Sequence, residues 1–154
     1  LEVLVKRAAL RVSTLLFTAY AAIVLVGAAP IDSAVIVDSG STNSRASQIV
    51  VHSDGTASIT FGTSSPKPFT VPKATVARFF TALPAVRNDN VPAGSCAKSA
   101  SFGSTIRVKW QGWVSNDVTC PPPSTASPAA VKDAQLLNDT VMEIRGLAGP
   151  QPPN

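Results

Sequence analysis

Charge is scarce in this sequence. Only 14% of its 154 residues are Asp, Glu, Lys or Arg, and histidine occurs once, at His52. One imidazole without a second argues against a histidine-based metal site, and no Ser/Asp arrangement accompanies it for nucleophilic catalysis. No run of Lys or Arg interleaved with aromatics stands beyond the first thirty residues, so the electrostatic footprint of a nucleic-acid partner is missing. No metal or cofactor motif is legible. Cysteine is nearly absent too, with Cys96 and Cys120 as the whole complement.

What is plentiful sits first at the N-terminus. Lys6, Arg7 and Arg11 precede an uncharged, largely apolar run from Val12 to Ala29 that ends in small residues. A basic region, an apolar region and a small-residue end read as a secretory signal peptide over residues 1–29. An uncleaved anchor is the alternative, because 18 residues is near the lower limit of a membrane span. Cleavage leaves ten basic against eight acidic residues, a net charge of +2. The expected location is secreted or periplasmic, with membrane contact only if the segment is kept. An oxidising compartment predicts a Cys96–Cys120 disulfide. It would close a loop of about 25 residues, worth roughly 3.5 kcal/mol in the chain-entropy model.

The remainder reads as one domain over 31–147 with a disordered tail over 148–154. Ala34–Val37 suits a buried strand and runs into the turn formers Asp38, Ser39, Gly40, Ser41, Thr42, Asn43 and Ser44. Ile49–His52 and Thr56–Phe61 flank Ser53-Asp54-Gly55, a three-residue hairpin loop that turns Val51, Ala57, Ile49 and Ile59 to one side. Gly62–Phe69 reads as a surface linker. Pro72 suits a first helical position, Val76, Phe79, Phe80 and Leu83 make an apolar stripe, and Pro84 is expected to stop the helix.

A second hairpin follows between the cysteines. A Trp110-Gln111-Gly112 loop would place Ile106, Val108, Val114 and Val118 on one face. Arg107 and Lys109 would then face out, with Trp113 opposite Lys109 in cation–π range. Ser127 is a candidate N-cap before Pro128; Ala134, Leu137, Val141 and Ile144 form the buried stripe of a second helix, and Gly146 is a candidate C-cap. The expected fold is α+β: a five-stranded antiparallel sheet, β-ββα-ββα, with two helices on one face.

Val35–Asn43, VIVDSGSTN, resembles the active-site signature of pepsin-like aspartic proteases, in which the residue corresponding to Asp38 shares a proton with a second Asp. No second Asp-(Ser/Thr)-Gly is present, so this chemistry would need a homodimer apposing two copies of Asp38. Ser95 and Lys98 match the Ser-x-x-Lys of penicillin-binding enzymes, but the companion Lys-Thr-Gly is absent. Taken whole, the chain resembles the uncharacterised small exported domains of bacteria over about Val35 to Ile144, on DSGSTN, SDGTAS, CAKSASFG and DVTC. Its order of elements is similar to that of emfourin-type metalloprotease inhibitors. That resemblance implies a non-enzymatic binding or inhibitor-like module acting on a protein partner outside the cytoplasm. The expected recognition surface is Asp38–Asn43 together with Arg107, Lys109 and Trp113, an aromatic beside cations. The alternatives are the dimeric hydrolase and a membrane-anchored envelope domain.

Overall fold

A computed structural model describes residues 31–99, 101 and 103–150. The expected signal peptide and residues 151–154 of the expected tail lie outside the described residues. The elements are β1 (Ser33–Asp38), β2 (Ser47–His52), β3 (Thr56–Phe61), β4 (Lys67–Thr70), α1 (Lys73–Asn88), β5 (Ile106–Trp110), β6 (Trp113–Val114) and α2 (Pro128–Leu147). The strands form one antiparallel sheet in the order β4-β3-β2-β1-β5-β6.

Alternation along the strands sorts the sheet into two faces. Ala34, Ile36, Ile49, Val51, Ala57, Ile59, Ile106 and Val108 are buried and form one cluster with Val76, Phe79, Leu83, Leu137, Val141 and Ile144 of the helices. Both helices therefore cover the same face. The opposite face, carrying Val35, Val37, Val50, Arg107 and Lys109, is half-buried or exposed. The first hairpin adopts the expected register, with Val51 opposite Ala57 and Ile49 opposite Ile59.

The sheet has six strands where the sequence suggested five. The added strand, β4, comes from the supposed linker and pairs with β3, Ala57 facing Phe69 and Ser58 facing Pro68. Proline has no N–H to give a ladder, so this pairing is confined to a sheet edge, where it stands here. Phe69 packs against the core and gives the segment its reason to pair.

The second hairpin also departs from expectation. Gln111 and Gly112 both have positive φ, 46° and 76°, and they alone form the turn. Trp110 therefore faces Trp113, and Lys109 faces Val114. Both indoles turn to the helix side and pack against the core, while Val114 is left 48% exposed. Burying two aromatic surfaces outweighs exposing one valine. The regular strand ends at Val114, and Ser115 N–H donates to the Val108 carbonyl (2.8 Å). Val118 N–H rejoins β5 at the Ile106 carbonyl (2.9 Å).

Helix α1 runs through Pro84 to Asn88 instead of stopping at Leu83, and Pro72 is its N-cap, not its first residue. An interior proline costs about 3 kcal/mol in a helix. Burying Val86, two residues beyond it, helps offset that penalty. In α2, Ser127 Oγ accepts from Ala130 N–H (3.1 Å), as the Ser-Pro start predicts. Gly146 lies inside the helix; Ala148 is the C-cap and packs against the core.

Candidate functional site

The Asp38–Ser44 loop is a fastened structure. Asp38 ends β1 on its inward phase and is 2% exposed. Its Oδ1 accepts from Gly40 N–H (2.8 Å), and its Oδ2 is ion-paired with the Arg145 guanidinium from the last turn of α2. Ser39 exchanges two bonds with Thr105: its N–H donates to the carbonyl (3.0 Å), and its Oγ accepts from the N–H (2.9 Å). Ser41 Oγ donates to the Ser101 carbonyl (3.0 Å), which also accepts from Asn43 N–H (3.3 Å). Gly40 sits at φ +69°, and a Cβ there would stand 2.5 Å from Ala46 N. Thr42 and Asn43 form the exposed tip.

The remaining expected site residues do not gather there as one patch. Arg107 and Lys109 are exposed on the open sheet face, and Trp113 lies on the helix side. The predicted Lys109–Trp113 contact is therefore replaced by Arg87, at the end of α1, over the Trp110 ring at 5.9 Å. Trp110 Nε1 donates to Asp32 Oδ2 (2.8 Å).

Cys96 and Cys120 are disulfide-bonded, with Cα atoms 5.4 Å apart. Beside them a polar hub braces the loop. Lys98 Nζ donates to Asp117 Oδ2, the Ser104 carbonyl and Thr119 Oγ1. Partial burial pushes the Asp117 carboxyl up, but bonds from Lys98, Thr119 and the Ile106 N–H outweigh it and hold the group below the usual carboxylate range. Glu143 on α2 is likewise lowered, first by Thr75 Oγ1 (2.6 Å) and, against an opposing desolvation, by Arg78.

A cavity of about 390 Å³ opens where this braced loop meets the helices. Val86 and Val91 wall one side, Trp113, Val114 and Val118 a second, and Val131, Ala134 and Leu137 the third. Asn90, Asn116, Gln135 and Asn138 also line it, with Ser115, Asp117 and Thr119, so polar groups share the walls with the apolar side chains. Asn116 Nδ2 donates to the Val91 carbonyl (2.9 Å) and joins two of the walls. Sequence reasoning missed this site because its walls come from three segments that only the folded chain assembles. Val131, an apolar residue on the first turns of α2, is left 40% exposed at its rim.

Among the described residues no cluster of three His, Cys, Asp or Glu could hold a metal, and no helix is long and apolar enough to cross a membrane. Comparison with protein families, curated proteins and solved structures finds no match for this chain.

Proposed function

We propose that this chain is a non-enzymatic, exported binding module that recognises its partner at the cavity between β6, the end of α1 and the first half of α2. The observation that carries the reading is the cavity itself. Its 390 Å³ falls within the range of about 300–1,000 Å³ typical of ligand sites, and it combines apolar walls with hydrogen-bonding side chains, amides and hydroxyls beside the Asp117 carboxylate. Export is supported by the signal-like N-terminal sequence and by the disulfide. An inhibitor is the narrower form of the same proposal. It rests on the order of elements shared with emfourin-type inhibitors, to which β4 adds a strand.

The Asp38–Asn43 loop is the second candidate surface, with Thr42 and Asn43 its accessible part. Capture from the exported protein fraction separates the two surfaces. Ala134→Phe, which fills the cavity, is expected to lose the captured partner, while Thr42→Ala with Asn43→Ala retains it. The opposite pattern would move recognition to the loop.

A further inference from the structure

We propose that the partner presents an extended peptide segment that adds to the β6 edge as a further strand, placing one bulky apolar side chain in the cavity and acidic side chains over the open sheet face. The inference rests on the cavity being the recognition site, and it follows from the chemistry around its mouth.

The edge is the first component. Trp110 and Trp113 close a two-residue turn as a hydrogen-bonded pair, and beyond Val114 the Ser115 N–H donates to the Val108 carbonyl while the Val108 N–H donates to Ser115 Oγ. Val114 lies between these bonded positions, and its N–H and C=O point away from β5 toward the open edge. A peptide residue opposite Val114 can exchange both hydrogen bonds with it. The other sheet edge is differently made: β4 carries Pro68 and Lys67, residues that blunt strand addition.

Facing fixes where the side chains go. Residues opposite one another in a sheet share a face. The peptide residue paired with Val114 therefore lies over the open face, and its neighbour in sequence turns to the helix side, where Trp113, Val131 and Leu137 line the cavity. A void of about 150 Å³ accepts a benzene ring, so the 390 Å³ here accommodates an aromatic or large aliphatic side chain.

Charge completes the specification. The strand residues of the open face include Arg107 and Lys109 and no acid, and Lys109 is the cross-strand neighbour of Val114. The added residue stands about two strand spacings from Lys109, roughly 10 Å, a span that Glu and Lys side chains close by meeting over Val114. The preferred segment thus alternates acidic, bulky apolar, acidic.

The test titrates the oxidised domain with acetyl-Thr-Glu-Phe-Glu-Thr-amide and follows backbone amide shifts by NMR. Shifts at Val114 and the cavity walls are expected. N-methylation of one of the two Glu nitrogens should weaken binding at least tenfold, and N-methylation of Phe by less than twofold, because alternate amides point away from β6. Replacing both Glu by Lys should weaken binding at least fivefold at low salt. Ala134→Phe should abolish it, and Gln135→Trp, at the cavity wall, serves if the first variant fails to fold. Binding that Ala134→Phe removes but that ignores N-methylation or charge would overturn strand addition and leave the cavity reading standing. Shifts with indole but none with the peptide would do the same. No response to either probe would overturn both.

Discussion

The pairing of Asp38 with Arg145 ties the end of β1 to the last turn of α2 across 107 residues of sequence, and it can be weighed by a double-mutant cycle. Asp38 is 2% exposed, whereas the Arg145 side chain is 20% exposed. Removing one side of a buried pair costs about 3–5 kcal/mol, because the remaining charge keeps its desolvation penalty without its partner. Arg145→Ala strands the more enclosed charge, although water can enter where the guanidinium stood, so the lower end, about 3 kcal/mol, is expected. Asp38→Ala leaves Arg145 free to turn outward and deprives Gly40 N–H of its acceptor, a loss of about 1–3 kcal/mol. The double variant should fall short of the sum by about 1–3 kcal/mol, the range of coupling for residues in direct contact. Urea midpoints at constant m-value give all three numbers. A coupling below about 0.5 kcal/mol, or a greater loss from Asp38→Ala than from Arg145→Ala, would refute the assignment of this pair as a buried fastening.

Phe79 is fully buried, so Phe79→Ala should destabilise by about 3–5 kcal/mol in the same denaturation assay. Gly40→Val forces a β-branched residue to φ +69° and a Cβ against backbone at 2.5 Å, and should cost about 1–3 kcal/mol; Thr42→Ala at the exposed tip should stay within about 0.5. Mass spectrometry of the non-reduced protein should find one Cys96–Cys120 linked peptide pair, and replacing both by Ser should lower stability by about 3 kcal/mol. Asp117 is held below its ordinary range, so its contribution is present above the unfolded value of about 3.9 and fades as pH falls through the lowered one. Asp117→Asn should flatten the stability–pH curve below about pH 4, and an unchanged curve would show that Asp117 has no such linkage.

Local grammar was legible where local energies decide the outcome. The Ser53-Asp54-Gly55 loop, the Ser127 cap and the stripe through Leu137, Val141 and Ile144 could all be read because each depends on neighbours within a turn or two. The failures share a different cause. Pro84 signals a helix end by propensity, yet α1 continues past it and buries Val86. Lys67–Thr70 has little strand character and pairs because β3 offers an edge and Phe69 reaches the core. The second hairpin admits two registers, and the choice turns on whether the indoles face core or solvent, which only the packed helices determine. Asp38 looked like a display residue because its partner, Arg145, lies at the far end of the chain. The cavity has no local signature at all, since its three walls meet only through long-range packing.

The central position of β1 also bears on how the domain would respond to mechanical load. Ser33, at its start, pairs with His52, and the preceding Asp32 binds Trp110 and Gln111, whereas Asp38, at its finish, holds the last turn of α2. The two ends of the described chain therefore leave from opposite ends of the same strand. Tension applied through them runs parallel to β1, so its six pairings with β2 and four with β5 must slide together and cannot unzip singly. The Cys96–Cys120 bond would then withhold 24 residues from extension, a length of roughly 80 Å at about 3.3–3.6 Å per residue. Loaded through these two ends, the domain would resist until the pairings of β1 shear together, and the disulfide would shorten its full extension by about a fifth.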